Sequence, residues 1–191
     1  MDIPCRNSLR VIFCGLSLAG PVAATAESLL DRSTGATIQF SAKPWMLALD
    51  QPHLAAHAQD YIALYALEIN TAGQHHHHLA TFFWSTVPGR ASYAGTAPQM
   101  TLRVADREIH LSPLGKSPRD LGISRWPLAP PGRGAVLVIY EVDEALLRAL
   151  SSDVPVSAHP ETDPTLAADT WFAAWRSGRR AFADFCAEVF D

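Results

Sequence analysis

The chain has 191 residues, with 15 Lys and Arg against 19 Asp and Glu, a formal charge of −4 at pH 7 and 48% hydrophobic residues. Apolar content at that level excludes a disordered polymer, and the length suits one domain. Only Lys43 and Lys116 are lysines and the arginines are scattered among acids, which argues against a broad phosphate-binding surface and hence against a nucleic-acid partner.

Residues 1–26 read as a cleaved signal peptide. Arg6 and Arg10 make a positive start. Val11 to Ala19 is an apolar run about half as long as the roughly 20 residues a spanning helix needs, and Gly20-Pro21 breaks it. Ala24-Thr25-Ala26 supplies small residues at the positions a signal peptidase reads, which places cleavage after Ala26. Phe13 before Cys14, and the short run ahead of it, do not suit a lipid-anchored cysteine. Cleavage leaves 165 residues with Cys186 as their one cysteine, so the domain at 27–191 must stand on its core without an internal disulfide. No second apolar stretch is long enough to span a membrane, and the expected location is periplasmic or secreted.

Ala36 to Phe40 alternates and reads as a first strand. Residues 43–60, with Pro44 and Pro52, read as a connecting loop with one helical turn near Leu54. Tyr61 to Asn70 and His75 to Val87 are apolar, aromatic-rich runs around Thr71-Ala72-Gly73-Gln74, the signature of a hairpin. A two- or four-residue loop gives one register, with Ile69, Leu67, Tyr65 and Ala63 sharing a face with His76, His78, Ala80 and Phe82. Both faces are apolar away from the turn, so this hairpin belongs in the middle of a covered sheet. A second hairpin sets Met100 to Val104 against Arg107 to Leu111, with Leu102 opposite Ile109 and Arg103 opposite Glu108.

Ser112 to Gly134 is rich in proline and glycine and reads as a long loop, a class of segment that often carries function. Ala135 to Tyr140 reads as a buried central strand, and Asp143 as the N-cap of a helix from Glu144 to Leu150. Val154 to His159 reads as an edge strand because it contains Pro155. At the C-terminus Gly178 interrupts an apolar stripe, favouring a strand at 170–175 and then a helix from Arg179 to Phe190, with Phe182, Phe185, Cys186 and Val189 against the sheet. The expected fold is mainly β (α+β), an antiparallel, sandwich-like sheet with a few short helices, including a C-terminal one.

The most conspicuous chemical feature is His75-His76-His77-His78. On a strand, His75 and His77 point one way and His76 and His78 the other. With Glu68 opposite His77, two imidazoles and a carboxylate suit Zn²⁺, Cu²⁺ or Ni²⁺; the bland alternative is a polar strand end. His53 and His57 are spaced for one helix face, but Leu54 stands where a metalloprotease would need Glu. No nucleophile elbow, phosphate loop or dinucleotide fingerprint occurs in residues 27–191. Cys186 reads as an inert core thiol, and Arg176, Arg179 and Arg180 as a solvated helix start. Trp84, Trp171 and Trp175 read as core. Trp126, between prolines in the long loop and next to Arg125, is the candidate for surface recognition. Three functions follow as expectations. The first is a non-enzymatic exported domain that binds a protein partner or an envelope component. The second is a Zn or Cu protein using the histidine strand, and the third a hydrolase whose site is assembled from distant residues.

Overall fold

The computed structural model describes residues 26–49, 59–87, 99–115, 117–161, 171–175 and 178–191. The signal-peptide expectation, the helical turn near Leu54, the His53 and His57 pair and Arg176 lie outside these residues, Ala26 apart. Among the described residues ten strands form one curled, wholly antiparallel sheet, and two α-helices pack on it. The mainly β reading with a C-terminal helix therefore holds.

The sheet is organised by the first hairpin, β4 (Asp60–Thr71) and β5 (Gln74–Ser85), paired over all twelve residues in the expected register, from Asp60 opposite Ser85 to Thr71 opposite Gln74. Its turn places Ala72 at φ 53° and Gly73 at φ 84°, the left-handed pair that a two-residue hairpin loop requires. The Asn70 side chain steadies it by accepting from the Gly73 N–H at 3.0 Å. The other edge of β4 is shared: β2 (Thr37–Phe40) pairs with its C-terminal part and β3 (Trp45–Ala48) with its N-terminal part. Beyond β2 lies β1 (Glu27–Leu30). Beyond β3 the sheet runs through β10 (Phe172–Ala174), β9 (Val156–Pro160), β6 (Met100–Val104) and β7 (Arg107–Leu111). β8 (Val136–Glu141) lies along β5.

Five expectations are corrected. The strand expected first, at 36–40, is the second, because Glu27–Leu30 pairs with it as β1. β3 lies inside the expected 43–60 loop, and it forms because Trp45 and Leu47 enter the core while pairing with Leu64 and Ile62. The expected strand at 135–140 is not central. β8 has β5 on one side, and its other edge is closed by the 112–114 segment, through a bridge between Pro113 and Tyr140 and a Leu114 N–H to Ile139 carbonyl bond of 2.7 Å. The segment at 154–159 is not an edge. Pro155 falls one residue before β9, where its missing N–H costs no ladder bond, and β9 sits between β10 and β6. Finally, Trp171 and Trp175 are not core. Strand parity on β10 turns Phe172 inward, leaving Trp171 beneath the Arg103 guanidinium, 3.8 Å from its ring centre, and Trp175 46% exposed.

The inner face of the curl holds the main core. Trp45, Leu64, Phe83, Leu102, Tyr140 and Phe172 from the strands meet Leu147 and Leu150 of α1 (Glu144–Ser151) and Phe182, Phe185 and Cys186 of α2 (Arg179–Phe190). Asp143 caps α1 by accepting from the Leu146 N–H at 2.8 Å, as expected. Gly178 does more than interrupt a helical stripe. A Cβ there would lie 2.4 Å from the Trp45 Cα, so glycine is what lets α2 approach β3 so closely. The outer face of β2, β4, β5 and β8 carries a second, smaller core of Ile38, Leu67, Ile69, Ala80 and Ile139, covered by Ile123, Leu121, Trp126 and Leu128 of the long loop.

Candidate functional site

The hairpin end and the long loop together build a cavity. On β4 and β5 the pairing Thr71–Gln74, Ile69–His76 and Leu67–His78 places these residues on the outer face, and His78 is in turn directly opposite Glu141 of β8. Directly opposed residues of an antiparallel pair project to the same side. The loop crosses above them with a short 3-10 turn, Pro118–Leu121, ended by Gly122 at φ 74°. That turn is braced locally: the Asp120 carboxylate accepts from both the N–H and the hydroxyl of Ser117, each at 2.8 Å. Between the two surfaces lies a cavity of about 380 Å³, lined among others by Thr71, His76, His78, Arg119, Asp120 and Glu141. This volume is in the range of small-molecule sites, roughly 300–1,000 Å³.

Its walls carry unmet hydrogen-bonding capacity. His78 is 2% exposed, and its Nδ1 is buried without a hydrogen-bond partner. Burial, the largest influence, pushes the pKa of this ring down from 6.5 to about 4 against the opposing pull of Glu141, so the imidazole is neutral at physiological pH. The Thr71 Oγ1 is likewise buried and unpartnered, and a Cβ at Gly122 would lie 3.0 Å from it. A buried polar atom without a partner costs about 1–3 kcal/mol.

The odd histidines have other work. Glu68 is directly opposite His77, as the register requires, but its carboxylate reaches diagonally to the Nδ1 of His75. The His75 Nε2 lies 3.2 Å from the Asn70 amide nitrogen. A carboxylate only accepts, so Nδ1 carries the proton and Nε2 accepts from Asn70, which leaves both His75 nitrogens engaged. The His77 ring stands edge-on to Phe190 of α2, 5.0 Å between centres. The His75, His77 and Glu68 set is thus divided between a hydrogen-bonded pair and an aromatic contact. Among the described residues no three His, Cys, Asp or Glu side chains stand converged for a metal ion.

The remaining candidates are placed as follows. Trp126 is partly buried, packed on the second core, and holds the loop to the sheet. Arg125 is exposed and lines a different cavity, about 470 Å³, with Leu29, Leu30, Asp31 and Ser124. Asp31 ties the loop down there: the Ser124 N–H, the chief influence, holds its carboxyl below the usual carboxylate range, and the Ser33 N–H donates to it at 3.0 Å. Cys186 is buried and free, its thiol pKa raised chiefly by burial, which suits a core role. Arg179 is not simply solvated, since it bonds the Val154 carbonyl at 2.7 Å and pairs with Asp153. Sequence reasoning passed over Thr71, Arg119, Asp120 and Glu141. Glu141 alone left a local trace, a carboxylate ending an apolar strand.

No family model, no curated protein and no solved structure matches this chain.

Proposed function

We propose that this chain is an exported, non-enzymatic binding domain whose recognition site is the cavity between the β4–β5 hairpin end and the 117–122 turn, and whose ligand is a small polar envelope component or a polar group of a larger one. The observation that carries this reading is His78, a buried neutral imidazole with an unpartnered nitrogen in the cavity wall, next to a cavity of ligand size. Arg119, Asp120, Gln74 and Glu141 give the walls donors and acceptors of both charges, which suits a ligand rich in hydroxyl or amide groups over a purely apolar one. Among the described residues no helix is long and apolar enough to cross a membrane.

The test uses the tag-free chain expressed with its own leader. The expected results are recovery outside the cytoplasm with Glu27 as first residue, and amide NMR shifts confined to 74–78, Leu114, 117–122 and 141 when sugars, amino sugars or short peptides are added. Turnover of a hydrolase substrate panel, lost on one polar substitution, would overturn the non-enzymatic reading. Shifts from such ligands spread over the β6–β7 half would overturn the cavity.

A further inference from the structure

We infer that the hairpin wall of this cavity is a site for one divalent transition-metal ion, held by His76, His78 and Glu141; the inference deepens the cavity reading above and rests on it. Strand parity brings the three together. His76 and His78 are two apart on β5 and share its outer face, and Glu141 lies directly across the ladder from His78 on that same face. All three line the cavity. Two imidazoles and one carboxylate form a ligand set suited to Zn²⁺, Cu²⁺ or Ni²⁺, and three protein ligands leave a coordination position open to the cavity for an exogenous molecule.

His78 is the fixed member, buried in the sheet, whereas His76 and Glu141 are exposed. The three do not stand converged in this structure. Binding therefore requires His76 and Glu141 to turn toward His78, a rearrangement of exposed side chains that leaves the paired strands in place. Glu141 and Asp120 outnumber Arg119 among the charged lining residues, which favours a cation. The other two histidines of the run are poor competitors, because His75 has both ring nitrogens engaged and His77 packs on Phe190.

The test is calorimetric titration of the tag-free, exported chain with ZnCl₂ and, separately, CuCl₂. One ion per chain should bind more tightly than about 1 µM for at least one metal. His76→Ala and Glu141→Gln, both at exposed positions, should each weaken it roughly tenfold or more, and His75→Ala and His77→Ala by less than about twofold. Binding weaker than about 1 µM for both metals, several equivalent sites, or equal losses from the odd and even variants would overturn the site. If no metal binds but the cavity amides still respond to small polar ligands, the metal site falls and the cavity reading stands. If metal binds as expected and no organic ligand moves those amides, the metal site stands and the broader reading falls.

Discussion

The two faces of one four-histidine run have different fates, although the residues are identical and adjacent. On the inner side, where α2 closes the core, His75 is bonded by Glu68 and Asn70 and His77 lies against Phe190. On the outer side, where among the described residues a loop crosses, His76 faces a cavity and His78 is buried with an unpartnered nitrogen. For His77 and the outer pair the covering element makes the difference, whereas His75 is engaged by side chains of the strand it pairs with. A helix delivers side chains every turn and fills the space, whereas an irregular loop braced by its own Ser117–Asp120 bonds arches over it. Composition alone therefore does not assign chemistry to a histidine tract; parity and the facing layer do.

Perturbations on the two sides should differ in kind and size. The largest effect is expected inside. Phe185→Ala, at a fully buried position, should cost about 3–5 kcal/mol in urea unfolding and leave ligand response at the cavity intact. A loss below 1 kcal/mol would mean that α2 is not part of the main core.

Next comes the pH response of the outer side. Unfolded, the His78 ring takes up a proton near pH 6.5; folded, it resists until about pH 4. Between those values the unfolded chain binds the extra proton, so stability contributed by neutral His78 is complete above pH 6.5 and falls as the pH drops, by up to about 3 kcal/mol. Denaturation midpoints measured from pH 7 to pH 4 should show this decline, and His78→Gln should flatten it. An unchanged slope in the variant would remove His78 as its source.

Smaller effects are expected from the two ends of the comparison. Gly122→Ala puts a side chain at φ 74° and 3.0 Å from the Thr71 hydroxyl. It should cost about 1–2 kcal/mol and weaken whatever the cavity binds. Glu68→Gln keeps an acceptor for the His75 N–H, so its cost should be about 1 kcal/mol or less, with no effect on the cavity. A larger effect of Glu68→Gln than of His78→Gln on ligand response would reverse the assignment of the two faces.

The legible parts of this molecule are those whose cause is local. A two-residue turn fixes the β4–β5 register, which is why residue parity along the histidine run could be read before any fold was known. Gly178 and Asp143 mark the helix starts for equally local reasons. β3 was hidden because Pro44 and Pro52 dominate the segment, while its strand exists through long-range packing of Trp45 and Leu47. The misplaced edges have the same origin, since whether β8 or β9 is central depends on neighbours far away in sequence. The candidate site was half legible. The histidines were visible, but Glu141 and the 117–122 cover are brought to them by the β5–β8 pairing and by the bridge at Pro113.

The division of the histidine run is most directly tested by imidazole nitrogen NMR of the tag-free chain, with the four rings assigned, during stepwise addition of Zn²⁺ near pH 7. The expected result is that His76 and His78 resonances move first and together, while the His75 nitrogens keep the pattern of a ring bonded on both sides and His77 stays unchanged. Resonances of His75 and His77 moving first, or all four moving alike, would contradict the account.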